Sequence, residues 1–590
     1  MRVRVRVRVR VRVLARGRVR GGPRRRCPGT PVPGTPTPRR LGVRKTSPNP
    51  VQPFSPSSGL VFADRLEWAR EHSRVNRAER DPIDVRRPGT GLPHAAGEAR
   101  MQKKFRTALA TATAVALTGG GLVAISASPA SAAGSGLHAD FNGDGYTDIA
   151  VAASGATVAG KPGAGQIVVH YGSAQGISAT KRALISQDSP GVPGAAEADD
   201  WFGAASGFGD FNKDGYADLA VGSYGEDIGS DKDGGSAVIL WGSAKGLDGG
   251  TAIKDPAPGK HDNFGKSIET ADFDGDGRID IALGSDGATV DRYRGGFTRS
   301  GGTGGYDGVG LPVYTGKYNG VRYLTSGDVN GDGIADLIAN AYSTATDFNA
   351  NYWVRGTRSG NLNGAGAGLL PAGTITAVGK LNRDKYADIV IGLEWDPSKD
   401  SAAAGQPTAK GGKVLVVNGS ANGPVRGVSH SFTQDTPGVP GVSEQGDYFG
   451  GELGLGDING DGHLDLAIGA YGERVGTSPY AAGSVTVLYG TANGLTTAGA
   501  QSFSQETPGV PGATEKEDYF GSDVSLADLN RDGKGDLTIG ANGENGYDGL
   551  VTVLRSDGRK ITAAGARTLS PAEVGISTAG SPGYGMNFTD

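Results

Sequence analysis

The stretch D-F-N-G-D-G-Y-T-D-I-A-V-A, Asp140 to Ala152, sets three aspartates and an asparagine into nine residues and then turns apolar. Altered copies follow six times: DFNKDGYAD from Asp210, DFDGDGRID from Asp272, DVNGDGIAD from Asp328, KLNRDKYAD from Lys380, DINGDGHLD from Asp457 and DLNRDGKGD from Asp528. Their starts lie 70, 62, 56, 52, 77 and 71 residues apart. Recurrence on that scale marks a solenoid, a propeller or an array before any single motif is weighed.

Each loop runs into a short β-like segment, such as IAVAAS, LAVGSY, IALGSD or LAIGAY. In several repeats a second strand comes about 20 residues later and ends in a turn, as in QIVVHYGSAQG (166–176) and SVTVLYGTANG (484–494). Four strands fit each interval, which is the size of a propeller blade. A further element precedes three of the loops: SQDSPGVPGAAEADDWFG (186–203), TQDTPGVPGVSEQGDYFG (433–450) and SQETPGVPGATEKEDYFG (504–521), with HDNFG (261–265) as a shorter relative. Its Pro and Gly residues dictate turns. Trp201-Phe202, Tyr448-Phe449 and Tyr519-Phe520 are expected to pack between blades. The final residues, 568–590, repeat this element with no acidic loop after it, whereas the first repeat starts almost at its loop. A ring accounts for both defects, with the Tyr584-Gly585 segment pairing into the first blade and removing exposed strand edges.

These residues carry a resemblance. Phe-Gly, a D-x-[DN]-x-D-G-x-x-D loop and a later Gly-Ala or Gly-Ser strand together resemble the FG-GAP repeat, the blade unit of the integrin α-subunit head and of many secreted bacterial (VCBS-type) proteins. The resemblance covers about residues 134–590, is sharpest in repeats two, six and seven and looser in three and four. It implies an all-β, seven-bladed β-propeller with calcium in loops on one face.

The residues themselves point to the same ion. In the first loop, positions 1, 3, 5 and 9 are Asp140, Asn142, Asp144 and Asp148, Gly145 permits the sharp bend, and position 7, Tyr146, offers a carbonyl. The corresponding sets are Asp210, Asn212, Asp214, Tyr216, Asp218; Asp272, Asp274, Asp276, Arg278, Asp280; and Asp328, Asn330, Asp332, Ile334, Asp336. Two more follow: Asp457, Asn459, Asp461, His463, Asp465; and Asp528, Asn530, Asp532, Lys534, Asp536. Calcium takes six to eight hard oxygen ligands in flexible geometry, and a set without His or Cys side chains disfavours zinc and copper. An EF-hand is excluded, because its bidentate Glu at position 12 is replaced by Val151, Val221, Leu283, Ala339, Ile468 or Ile539. The fifth loop serves as an internal control: Lys380 replaces the first Asp and Lys385 the turn Gly, so it should hold no ion. About six calcium sites are therefore expected.

Charge is divided along the chain. Residues 1–100 hold 24 Lys and Arg against 7 Asp and Glu, whereas residues from Ala133 onward hold 32 against 55. An acidic body disfavours nucleic acid, which needs clustered basic groups. Met101 opens MQKKFRTALATATAVALTGGGLVAISASPASAAG, with a positive start, an apolar small-residue stretch and the A-x-A site Ala130-Ser131-Ala132. Residues 101–132 read as a secretory signal, too broken by Gly119 to Gly121 for a stable membrane span. Residues 1–100, Arg- and Pro-rich, read as a disordered basic arm or as sequence upstream of the true start. The single cysteine, Cys27, lies there, so a secreted chain from residue 133 would have no disulfide and would need another cross-link.

The five histidines from Ala133 on (His138, His170, His261, His430 and His463) stand apart in sequence. No G-x-S-x-G, H-E-x-x-H or Walker loop occurs. The expected function is a secreted, calcium-binding, integrin α-like propeller that binds an extracellular protein or polysaccharide or mediates adhesion. The competing expectation is an extracellular hydrolase with a site assembled on the propeller face. The segment RGGFTRSGGTGGYDGVG (294–310) reads as a floppy insertion or as part of a binding surface.

Overall fold

The structure, a computed structural model, describes residues 139–590 apart from 318, 359, 363, 398–406, 477–479 and 590. The basic arm, Cys27 and the signal segment fall outside those residues.

The described chain forms seven four-stranded antiparallel sheets. The second blade is typical: Ala205–Gly209, Asp218–Ser223, Ser236–Trp241 and Asp248–Ile253, each strand paired with the next. The first strands of successive blades contact one another in turn around a closed circle. Helix is confined to brief segments such as Glu544–Tyr547 and Pro571–Val574, the latter held by a capping box between Ser570 and Glu573. This is a seven-bladed β-propeller, and its sheets leave few free edges.

Second strands read as unbroken apolar runs because they are covered on both faces. Ile149–Ala153, Asp218–Ser223, Asp388–Leu393 and Asp465–Ala470 are buried at every position. Their small residues have a steric reason. A Cβ on Gly222 would lie 2.0 Å from the carbonyl oxygen of Gly265, the glycine of the next blade's Phe-Gly pair. Gly392 stands in the same relation to Gly450, Gly469 to Gly521 and Gly540 to Gly585. The Phe-Gly pair is thus a joint: its aromatic ring enters the inter-blade core, as Phe202 and Phe449 do, and its backbone rests on the preceding blade.

Ring closure uses the same joint. Tyr584-Gly585 takes the Phe-Gly place, and Phe588–Thr589 then pairs with Ile149–Ala153 as the innermost strand of blade one. The Tyr584 hydroxyl donates to His170 Nε2 at 2.6 Å, and the His170 Nδ1–H donates to the Ser178 carbonyl at 2.9 Å, which fixes the tautomer. The segment 294–310 is not a floppy insertion. Its second half, Gly305–Gly310, is the outer strand of blade three, paired along its whole length with Thr289–Arg294. Arg292 and Arg294 both bind Asp307 on that strand, and burying one guanidinium among carboxylates ties strand to strand.

Candidate metal centre

In blades two to seven the acidic loop joins the first and second strands, and in blade one it leads into the second, so all seven lie on one face of the propeller. Within a loop the backbone folds around the first carboxylate. In blade one, Asp140 Oδ1 accepts from the Asp144 N–H at 3.1 Å and Oδ2 from the Gly145 N–H at 2.7 Å. Asn142 Oδ1 accepts from Asp144 N–H at 2.9 Å, and Asp144 Oδ1 from Tyr146 N–H at 3.1 Å. Such Asx-type bonds curl the chain so that short polar side chains turn inward. Gly145 sits at φ +82°, a conformation that L side chains rarely adopt.

The pattern repeats around Asp210, Asp272, Asp328, Asp457 and Asp528, each accepting from the amides at positions 5 and 6. Position 7 donates its N–H to the position 5 carboxylate at Tyr216, Arg278, Ile334 and His463. Position 3 varies. Asn212 and Asn459 accept from the position 5 amide, whereas Asn330 and Asn530 turn their amide groups toward Asp336 and Asp536. In the fifth loop Lys380 leaves the backbone without a first carboxylate, although Asn382 and Asp384 keep their turn bonds.

Carboxylates converge most closely in blade three. The ligand oxygens of Asp272, Asp274 and Asp276 lie within 4.8 Å of one another. Burial first, then the neighbouring Asp276, raises Asp274 above the usual carboxylate range. Elsewhere position 3 is Asn, which removes one of the three charges, and nearby cations partly offset the rest. Lys181 Nζ is 2.7 Å from Asp144, and an Arg355 nitrogen is 2.8 Å from Asp332.

Position 9 does something the sequence did not announce. Asp148 is fully buried; its Oδ2 accepts from the Phe141 N–H at 2.9 Å and its Oδ1 from the Gly172 N–H at 2.8 Å. Asp218, Asp280 and Asp465 make the same two bonds, to the loop's second residue and to the glycine ending the third strand. Asp336 and Asp536 likewise reach Gly356 and Ser556. Each side chain is therefore a clamp between the acidic loop and the next turn on the same face. Burial, with added repulsion from Asp140 and Asp144, pushes Asp148 up to about 7; Asp218, Asp280 and Asp465 are raised as far by burial. Asp388 in the fifth loop keeps the clamp through Gly419, which explains why this aspartate persists where the first is lost.

The donor set fits a hard divalent cation: carboxylate and amide oxygens at one tight turn, with repulsion that an ion would relieve. Among the described residues no helix is long and apolar enough to cross a membrane.

The FG-GAP repeat family matches residues 132–170, 202–240, 449–488 and 520–554, which fall in blades one, two, six and seven. The chain is also 33% identical over 148 residues to the phosphatidylinositol-glycan-specific phospholipase D of Rattus norvegicus, a stretch amounting to 25% of this chain and 17% of the relative. It is 31% identical over 148 residues to the Mus musculus protein of that name, with the same shares of both chains. Against the Bos taurus protein it is 31% identical over 150 residues, 25% of this chain and 18% of the relative. The matched stretch thus spans less than a fifth of these relatives. Blades three to five, outside the family match, keep the four-stranded pairing; Gly392 of blade five keeps the inter-blade glycine joint, whereas in blade four Asn340 stands at that position and donates to the Gly373 carbonyl. Blades one, two, six and seven thus match the FG-GAP repeat, in a chain folded as a seven-bladed β-propeller.

Proposed function

We propose that the protein is a secreted, calcium-stabilised propeller that binds an extracellular protein or polysaccharide. The observation that carries the metal reading is the convergence of Asp272, Asp274 and Asp276, in a loop whose backbone frame recurs in five other blades. Positions 1, 3 and 5 of each intact loop would hold the ion beside the position 7 carbonyl, with the position 9 carboxylate behind them. Bound calcium would supply the positive charge that relieves repulsion among these groups and would cross-link a body without disulfides. At free calcium about 100-fold above Kd, each site contributes about 2.7 kcal/mol. Signal-like residues 101–132 support secretion.

The relatives' name brings a hydrolase into view, and their short overlap with this chain supports a shared propeller more than a shared reaction. Buried acids do lie near the axis. Glu452 is raised well above the carboxylate range by burial, with Asp523 and Glu394 nearby. Tyr471 donates to Glu394 and Asp523 accepts from the Phe588 N–H, whereas Glu452 Oε2 has no hydrogen-bond partner.

The test is a melting curve of the full chain with calcium and with chelator, alongside calcium counting by equilibrium dialysis. A higher melting point with calcium and about six ions per chain are expected. Indifference to the chelator would refute the metal reading, and turnover of a phospholipid or glycoside panel would refute the binding reading.

A further inference from the structure

Blade three departs from its neighbours on the face opposite the acidic loops. In blades two, six and seven, 16 residues separate the outer strand of one blade from the next Phe, and they carry the PGVPG turns. There Gln187 donates to Glu226, Gln434 to Glu473 and Gln505 to Glu544, bracing that segment against the turn between the second and third strands. Before Phe264 only 10 residues intervene, without PGVPG, and the bracing pair is replaced by Asp255 and Ala288. A cavity of about 510 Å³ opens in its place, within the range of about 300–1,000 Å³ that small-molecule sites occupy.

The cavity holds unused polar capacity. His261 has a side chain only 9% exposed, and neither ring nitrogen makes a hydrogen bond; Nε2 stands 3.6 Å from Asp255 Oδ1. Asp291 is 3% exposed; its Oδ1 accepts from the Tyr306 hydroxyl at 2.7 Å, while Oδ2 has no partner. Buried groups of this kind cost free energy unless something completes their bonds. Tyr306 is 46% exposed and offers an open ring at the wall. Exposed Asp262 and buried Asp286 also line the cavity, with Lys260 as the only lysine among the lining residues.

We propose that this cavity is a sugar-binding site that takes a neutral or amino-bearing pyranose ring, free or at the end of a polysaccharide. Sugar hydroxyls both donate and accept, so one can donate to Asp291 Oδ2 while another meets the unpartnered ring nitrogens of His261. The apolar face of the ring packs on Tyr306. Four nearby aspartates exclude acidic sugars and other anions. The assignment rests on the reading of the propeller as a binding module and names the site and ligand class.

The experiment is saturation-transfer NMR on the calcium-saturated full chain with glucose, galactose, glucosamine and glucuronate as separate probes. Transfer to at least one neutral or amino sugar is expected, and little to glucuronate. It should disappear in Tyr306→Ala, which removes an exposed ring, and in Asp255→Gln/Ala288→Glu, which rebuilds the brace of the other blades and refills the cavity. Both variants should keep a cooperative calcium-dependent melt, with the Tyr306→Ala midpoint lowered because Asp291 loses its hydroxyl donor. Absence of transfer from every sugar, transfer unchanged in both folded variants, or displacement of the sugar by the simple diamine putrescine would overturn the assignment. A wild-type chain whose stability ignores calcium but which still shows Tyr306-dependent transfer would refute the metal reading and leave this one standing.

Discussion

Closure of the ring includes one buried side-chain hydrogen bond, and Tyr584→Phe isolates it. The phenol and its partner are both fully buried, 2.6 Å apart, and joined across more than 400 residues of sequence. The substitution keeps the ring that packs with Val151, Val168 and Val574, so no cavity opens. What remains is His170 Nε2, an acceptor sealed from water with no donor, because Nδ1–H is already committed to Ser178. A buried acceptor left in that state costs about 1–3 kcal/mol. Urea unfolding of the calcium-saturated protein at pH 7.5, followed by tryptophan fluorescence, should show a lower midpoint with an unchanged slope, since the same surface is exposed. The double variant His170→Leu/Tyr584→Phe should lose less than the two single variants summed, because it leaves neither polar partner bare. A Tyr584→Phe midpoint indistinguishable from wild type, or strictly additive losses, would refute the account of closure.

Acid should weaken the same junction. Burial pulls His170 down to about 4 from an unfolded value of 6.5, so the folded state binds fewer protons between those values, and the stability present above pH 6.5 is lost as pH falls toward 4. The stability gap between wild type and His170→Leu should therefore shift against wild type by up to about 3 kcal/mol over that window, which urea titrations at pH 4, 5 and 6.5 would measure. Asp388→Ala, in the loop expected to hold no ion, should destabilise by about 1–3 kcal/mol while dialysis counts the same calcium per chain, because it strands the Gly419 N–H. Asp457→Ala should instead lose one calcium and narrow the melting gap between calcium and chelator. Gly222→Ala should cost about 1–3 kcal/mol or more by driving a methyl into the Gly265 carbonyl, whereas Gly310→Ala, with open space around its Cβ, should be near neutral in the same unfolding assay.

Much of this architecture was legible in the chain alone, because a repeat writes the same local rule many times. Seven acidic turns, each followed by an apolar run, specify seven hairpins, and unmatched elements at the two ends specify a circle. The acidic turns were equally readable, since positions 1, 3 and 5 fold onto a single turn through bonds spanning two to five residues. Position 9 was not, because its partner Gly172 lies 24 residues beyond Asp148 and meets it only when the blade is assembled. The glycines of the second strands also had no local meaning; their requirement comes from a carbonyl of the next blade. Blade three shows the limit most clearly. Its cavity arises from a shortened loop and a missing brace, and the space left by absent side chains exists only once the surrounding walls are in place. Local pattern thus determined the units and their number, while contacts between distant segments decided which polar groups were satisfied and which were left facing open space.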